Sequence, residues 1–157
     1  MTDLLPEGMA ALGRLRLPVR EATLSLRDRG AEPIEWTLEA ETARLQDDDD
    51  EWQLYFYGHG VPIDGARLPL RAGDVYTPPT ENERGEHQFT LYTGAHQAAY
   101  DVRIAVLHVE AAQVRLRVSG KCDVGWSQEF ATAVPFEIHA DFQLEPPRPD
   151  PWLRVHQ

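Results

Sequence analysis

Residues 135–145 alternate between apolar and polar side chains without a break, and no other feature of the sequence constrains the fold as strongly. Successive side chains of a β-strand point to opposite faces, whereas a helix repeats about every 3.6 residues. A period of two therefore predicts a strand with one buried and one wet face. The apolar positions of this strand are Phe136, Ile138, Ala140, Phe142 and Leu144.

The same period recurs along most of the chain and predicts an all-β, mainly antiparallel fold. Segments 22–26 and 34–40 are predicted to form a hairpin around the turn Asp28-Arg29-Gly30. Further strands are predicted over 52–57, 66–71, 87–93, 100–110 and 113–119. Many short strands with little helix are typical of a β-sandwich or β-barrel.

The segments between these strands are predicted as loops, with at most a short helix at the N-terminus. Glycine and proline mark the loops 58–65 and 72–86, and a third loop is predicted over 120–132. Near the N-terminus, Leu4, Leu5, Met9 and Leu12 recur at near-helical spacing.

The clearest part of the sequence predicts a contiguous antiparallel meander from 87 to 145. Ala111-Ala112 leaves room only for a tight turn, so 100–110 should pair directly with 113–119. Sequential strands usually neighbour one another in space. Val102, Ile104, Val106 and Leu107 place apolar groups on both faces of the first of these strands, as expected of a central strand.

Length and cysteine content predict one cytoplasmic domain. A chain of 157 residues has the usual size of a single domain, here 1–157, with an extended proline-rich tail over 146–157. The first residues lack the basic start and apolar middle of a signal peptide, and no apolar run approaches the roughly 18 residues of a membrane span. Cys122 is the single cysteine, which excludes an intrachain disulfide.

The net charge of −11 makes nucleic acid and anionic membranes improbable partners. The chain has one basic cluster, Arg14, Arg16 and Arg20, and its arginines are interleaved with apolar residues in the pattern of a strand. The charge is compatible with a basic protein partner.

Few residues suggest catalytic chemistry. Cys122 follows Lys121, and a nearby cation can activate a thiol, but packing as a small apolar residue or in a turn is the favoured interpretation. The acidic run 47–51 lacks the alternation and the glycine of a calcium loop and predicts a solvated hairpin tip. The nucleotide-binding and serine-nucleophile motifs are absent.

Two strand segments could place a histidine and a carboxylate on one face. They are His108 with Glu110 and His139 with Asp141, which form a possible metal site if the strands are neighbours. The favoured alternative is a wet face on which Arg115 and Arg117 are cross-strand charge partners. We therefore predict no bound metal.

The segment 70–79 is similar to the glycine–aspartate turn and proline of cupins, small β-barrels that often bind a metal. The resemblance covers about a dozen residues and would imply a metal-binding barrel. The paired upstream histidines of that family are absent, since only His59 lies near, and His87 is displaced from the downstream position. The family is therefore not assigned.

These observations predict a non-enzymatic protein-interaction module of bacterial type, such as an inhibitor or immunity-like partner of a basic toxin. No catalytic residue and no cofactor are predicted. The predicted partner-binding residues lie in two loops, 47–51 and 120–130, and are Asp48, Asp49, Trp126 and Phe130. The alternatives are a cupin-like metal-binding protein or enzyme, and a barrel that carries a small apolar ligand.

Overall fold

The computed structural model of the chain describes residues 4–28, 30, 33–47, 50–126 and 129–146. These residues form eleven strands and no helix. The strands are β1 Met9–Leu12, β2 Leu15–Arg27, β3 Ile34–Thr42, β4 Leu45–Asp47, β5 Asp50–Trp52, β6 Tyr55–Ile63, β7 Val75–Tyr76, β8 Phe89–Tyr92, β9 His96–Val109, β10 Gln113–Trp126 and β11 Glu129–Glu145.

Eight of these strands close into a barrel, so the predicted all-β class is confirmed. The order around the ring is β10-β11-β1-β2-β3-β6-β8-β9, and β9 pairs again with β10. The pairings are antiparallel except for a short parallel contact in which residues 143–145 of β11 lie beside residues 23–25 of β2. Strands β4 and β5 form a separate hairpin, and β7 pairs with β9.

Antiparallel pairing places the strand connections at two ends of the barrel. The hairpin end carries the β1–β2, β8–β9 and β10–β11 turns and the β4–β5 hairpin. The loop end carries the β2–β3 and β9–β10 turns and the long connection 64–88. In the ring order, the β4–β5 hairpin between β3 and β6 lies across the barrel from the β10–β11 turn.

Large apolar side chains fill the barrel interior, because each alternating strand turns its apolar face inward. Trp36, Phe56, Phe89 and Phe142 are fully buried. The Phe56 ring stacks on Phe89 with centroids 5.5 Å apart and contacts Phe136 at 5.6 Å. Phe56 thereby joins the β6–β8 wall to β11 on the other side of the core.

The predicted hairpins and meander agree with the observed pairing. β2 pairs with β3 from Val19 to Arg27, and β8, β9, β10 and β11 pair in sequential antiparallel order. Strands β9 and β10 meet in the predicted tight turn, where the Glu110 amide donates to the Gln113 carbonyl at 2.9 Å. The alternating segment 135–145, the clearest pattern of the sequence, lies entirely within β11.

The loop predicted over 120–132 is wrong, because β10 and β11 continue through most of it. Their pairing extends to Trp126 and Glu129, with a register shift between Cys122 and Val124. Ala133 has a φ of 54°, and its amide donates to Asp123 Oδ1 at 2.9 Å. A β-bulge of this kind interrupts the two-residue period, so periodicity alone ends the strands too early.

Three other predictions are corrected by the structure. Residues 9–12 form β1 rather than part of a helix, since they pair on one side with β2 and on the other with β11. Residues 58–63, predicted as a loop, complete β6. Gly58 lies there because its Cα packs against the Phe89 ring, where a Cβ would clash. Residues 66–71 were predicted as a strand and form none.

Two predictions about the whole chain remain untested. A single domain over 1–157 stays a prediction, and the predicted tail 146–157 lies beyond the described residues except for Pro146. The part of the chain that the structure describes contains no helix and thus no helical membrane span.

Candidate functional site

The outer surface of β3, β6, β8 and β9 carries two cross-strand rows of side chains near the hairpin end. In the first row, Glu41 lies opposite Tyr55, Tyr55 opposite Tyr92, and Tyr92 opposite His96. In the second row, Glu39 lies opposite Tyr57, and Tyr57 opposite Thr90. Directly opposed residues share one face of a sheet, so each row runs from a carboxylate to aromatic or polar groups.

The rings of these rows contact one another and form what we call the aromatic face, made up of Tyr55, Tyr57, His59, Tyr92 and His96. Ring centroids are 5.1 Å apart for Tyr55 and Tyr57 and 4.8 Å apart for Tyr92 and His96. The Tyr57 hydroxyl lies 3.3 Å from His96 Nδ1, and the Tyr57 and His59 rings are 5.2 Å apart. The contacts hold the rings as one continuous surface.

Two carboxylates border the aromatic face, and each has a neighbour that fixes its position. His59 Nε2 lies 2.8 Å from Glu39 Oε1, and Gln53 Nε2 donates to Glu41 Oε1 at 2.8 Å. Strands β3, β6 and β8 contain no arginine or lysine, and β9, which carries His96, contains Arg103. The aromatic face is therefore bordered by negative charge from the strands themselves.

The acidic hairpin of β4 and β5 projects from the chain between β3 and β6, so it adjoins the aromatic face. The predicted hairpin tip at 47–51 agrees with this placement, since Asp47 pairs with Asp50. Glu51 forms an exposed ion pair with Arg44 at 3.4 Å. Of the predicted partner-binding residues, Asp48 and Asp49 lie outside the described residues.

The other two predicted partner-binding residues belong to the β10–β11 hairpin. Trp126 ends β10, and its side chain lies outside the described part of the chain. Phe130 pairs with Gly125 and is 64% exposed. The structure thus places both predicted segments at the same end of the barrel but on opposite sides of it. Their role in binding stays a prediction.

The predicted histidine–carboxylate pairs lie on an outer surface that is organised by ion pairs. Arg115 Nε donates to Asp141 Oδ1 at 2.9 Å, and Arg117 Nε lies 2.9 Å from Glu137 Oε1. The two arginines are thus the cross-strand charge partners that the sequence favoured. We call these four residues the ion-paired face. Close contact with Asp141 raises the pKa of Arg115 further.

His108 and His139 have different neighbours and do not meet at one site. His108 Nε2 lies 3.1 Å from Glu110 Oε1, while His139 Nδ1 lies 2.8 Å from the Leu5 carbonyl. Within the described ranges, no three His, Cys, Asp or Glu side chains are grouped to hold a metal ion. The absence of a bound metal stays a prediction.

Cys122 packs as the small apolar residue that the sequence favoured. Its side chain is fully buried on β10. Burial, together with the neighbouring Asp123 carboxylate, raises the pKa of the Cys122 thiol to about 12. A nucleophilic cysteine requires an accessible thiolate. The geometry therefore supports a structural role for this thiol.

The cupin-like segment forms a simple turn before β7. The Arg71 amide donates to Asp74 Oδ2 at 3.2 Å, and the Asp74 amide donates back to the Arg71 carbonyl at 3.1 Å. Tyr76 follows on β7 and packs edge-on against Trp36 with centroids 5.5 Å apart. Burial and Asp74 raise the pKa of the Tyr76 hydroxyl. The segment closes the loop end of the barrel core.

Two of the surface depressions at the loop end differ in chemical character. One is an acidic cleft of about 760 Å³ that is bordered by Glu35, Asp64, Glu81, Glu83, Arg84 and Glu86. The other is an apolar groove of about 480 Å³ that is lined by Leu26, Leu68, Leu70, Val109, Val114 and Leu144. Large aromatic side chains occupy the barrel interior, where the sequence had suggested that a small apolar ligand could be carried. The groove offers an apolar site on the outside of the barrel instead.

Comparison with known proteins adds no relative: no protein-family model, no curated protein and no solved structure matches the chain.

Tyr55 and Tyr57 lie within the strand predicted over 52–57, but the sequence did not reveal the aromatic face. Their spacing of two residues already places both rings on one side of a strand. Tyr92 and His96 join them only through the pairing of β8 with β6 and β9. Long-range register carries that information, and no local pattern reveals it.

Proposed function

We propose that this protein is a cytoplasmic, non-enzymatic interaction module that binds a basic protein through the aromatic face. The single observation that carries the proposal is the continuous surface of Tyr55, Tyr57, Tyr92 and two histidines, bordered by Glu39 and Glu41. A partner that covers these rings removes a large amphipathic area from water.

Tyrosine is suited to such a surface because its ring contributes contact area with few rotatable bonds. Interface residues that dominate binding energy are enriched in tyrosine, tryptophan and arginine. The ring contacts of Tyr55 with Tyr57 and of Tyr92 with His96 limit the conformations that binding would otherwise have to select. The surface is therefore ordered before the partner arrives.

The charge of the chain supports a basic protein as the partner. The net charge of −11 and the neighbouring acidic hairpin favour approach of a basic surface. Opposite charge accelerates association and suppresses binding of acidic competitors. An inhibitor or immunity-like protein that captures a basic toxin is one concrete form of this proposal.

The proposal is tested by affinity capture followed by measurement with a purified partner. The wild-type protein and the variants Tyr57→Ala, Tyr92→Ala and Phe130→Ala are immobilised and exposed to lysate of the source cell. We expect one basic protein to be retained by the wild type and lost from both tyrosine variants. The purified partner should bind the wild type with a salt-dependent association rate.

Phe130→Ala is the matched control, because it removes another exposed aromatic ring at the same barrel end. Retention by this variant alongside loss from the tyrosine variants supports the aromatic face. If the partner is lost from Phe130→Ala alone, the binding surface is the β10–β11 hairpin and not the aromatic face. Equal retention by all four proteins, or retention only of acidic proteins, would overturn the proposed function.

A further inference from the structure

We propose that the apolar groove of the loop end is a binding site for a proline-flanked segment that contains tryptophan, and that residues 147–157 of this chain occupy it. The site is separate from the aromatic face, which lies near the hairpin end. The basis is the lining of the groove, the place where β11 ends, and the composition of the segment that follows.

The groove is an aliphatic surface with a buried base. It has a volume of about 480 Å³, and every described lining residue except Glu110 is apolar. Leu70 and Val114 are buried, whereas Leu68 is 47% exposed. Contact between such a surface and water is unfavourable, so an apolar occupant stabilises the groove.

Strand β11 ends in the wall of this groove. Leu144 lines the groove, its amide donates to the Ala112 carbonyl at 2.9 Å, and it lies beside Leu24 of β2. The strand ends one residue later, and Pro146 follows. The chain therefore leaves the barrel beside the groove.

The sequence of the segment 147–157, which lies outside the described residues, suits an apolar groove. Trp152, Leu153 and Val155 are apolar and follow prolines at 147, 149 and 151. Tryptophan has a large area to bury. Proline restricts the conformations of a chain, which lowers the entropy lost when the segment is ordered by binding.

The groove is within reach of Trp152. This residue is six positions after Pro146, and a fully extended chain of that length spans at most roughly 22 Å. Leu144 already belongs to the groove wall, so a shorter, bent path is sufficient. A short tether keeps the local concentration of the segment near the millimolar level, which favours it over a free competitor.

The charge of the segment favours the same placement. It contains Arg148, Asp150 and Arg154, so its net charge is opposite in sign to the total of −11 for the whole chain. Glu110 borders the groove, and Glu145 precedes the segment. The field of the acidic barrel therefore attracts the segment as a whole, without dependence on one ion pair.

An occupied groove is closed to other molecules. An apolar ligand must displace the segment, so its apparent affinity is reduced by the fraction of molecules in which the groove is open. The same segment of a second copy is the competing occupant, and its binding would depend on protein concentration.

The first experiment observes Trp152 in the full chain by fluorine NMR of protein that contains fluorinated tryptophan. The chain has four tryptophans, and Trp152→Phe assigns the resonance. We expect this resonance to lie away from the position of the free amino acid and to lack the solvent isotope shift of an exposed ring. This result should be the same at every protein concentration.

A matched pair of variants tests whether the groove is the site. Leu68→Glu places a charge in the groove and should give Trp152 the resonance of an exposed ring. Val75→Glu is the control, because Val75 is 45% exposed in the same connection and does not line the groove. The resonance of Trp52, which is buried at the hairpin end, reports that both variants remain folded.

The second experiment measures access to the groove with Nile red, a neutral apolar dye. Trp152→Ala should bind the dye about fivefold more tightly than the wild type, because the groove is then open in a larger fraction of molecules. Addition of Leu68→Glu to this variant should abolish the gain, whereas addition of Val75→Glu should preserve it.

Three results would overturn the inference. They are a solvent-exposed Trp152 in the wild type, a shielded Trp152 that Leu68→Glu does not release, and equal dye binding by the wild type and Trp152→Ala. Shielding that appears only where sedimentation shows a dimer would also overturn it and assign the groove to the segment of a second copy. The aromatic face takes no part in these measurements, so they leave the proposed function to its own test.

Discussion

The outer surface of the barrel has two faces of different construction, although both are built on antiparallel strands. On the ion-paired face, arginines of β10 meet Asp141 and Glu137 of β11 at 2.9 Å. On the aromatic face, glutamates of β3 meet tyrosines of β6. The first face contains both partners of each charge pair, whereas the second sets negative charge beside rings.

This difference indicates which face is available to another molecule. Cross-strand pairs of opposite charge stabilise a sheet and leave little for a partner to gain. Half-buried tyrosines next to carboxylates offer contact area and negative charge beside it. We therefore expect substitutions on the two faces to affect different measurements, stability on one and binding on the other.

The largest effect on stability should come from Phe56→Ala, which removes core packing beneath both faces. Phe56 is fully buried and contacts Phe89 behind the aromatic face and Phe136 on β11. Loss of the ring should lower the free energy of unfolding by about 3–5 kcal/mol through lost burial and the cavity that remains. Denaturant unfolding measures this change. Phe130→Ala is the exposed control, and a similar loss in both variants would contradict the packing.

Tyr57→Ala on the aromatic face should weaken binding, whereas a substitution on the ion-paired face should not. We expect the affinity for the captured partner to fall by about 2 kcal/mol, or roughly 30-fold, because a central ring is lost. Arg117→Met on the ion-paired face should leave that affinity unchanged, and its effect on stability should not exceed about 1 kcal/mol. Isothermal titration calorimetry measures the first quantity, and equal affinities of the two variants would remove the functional distinction between the faces.

Trp126→Ala examines whether the β10–β11 hairpin adds a second binding surface. If Trp126 anchors the partner, dissociation should be faster by an amount that corresponds to about 2 kcal/mol. Surface plasmon resonance measures the dissociation rate. A lowered melting temperature with an unchanged dissociation rate would instead assign Trp126 to packing over the end of the core.

Replacement of Asp48 and Asp49 by asparagine should have a smaller effect, confined to association. Both aspartates belong to the acidic run 47–51, whose described residues form the hairpin that adjoins the aromatic face. Loss of their charge should slow association about two- to fivefold and reduce its salt dependence, with little change in dissociation. Stopped-flow measurements at two salt concentrations test this expectation, which an unchanged association rate would contradict.

An effect confined to alkaline pH concerns Cys122, which is buried on β10 of the ion-paired face. Burial raises the pKa of its thiol from 9.0 to about 12, so the folded protein retains a proton that the unfolded chain releases above pH 9. Stability should therefore fall as the pH rises from 9 towards 12, by about 1 kcal/mol at pH 10 from this group. Cys122→Ala should show a shallower decline in unfolding free energy between pH 8 and pH 10. An identical pH dependence in both proteins would exclude this contribution.

The sequence by itself determined the strand character and the local hairpins. Alternation over 136–144 and 34–40 fixes which side chains face the core, because a shift by one residue would expose every apolar group. The pairing of Arg115 and Arg117 with acidic residues of β11 also followed from local patterns, since β10 and β11 are adjacent in sequence. Local periodicity and short connections are sufficient for these features.

Only the tertiary structure decided closure of the barrel, the true strand ends and the aromatic face. The bulge at Ala133 and the close approach of Gly58 to Phe89 interrupt the two-residue period while the strands continue. Tyr92 reaches Tyr55 through long-range strand register, which local sequence does not encode. Contacts between distant segments depend on how the whole core packs, so the proposed binding surface becomes visible only once the barrel is closed.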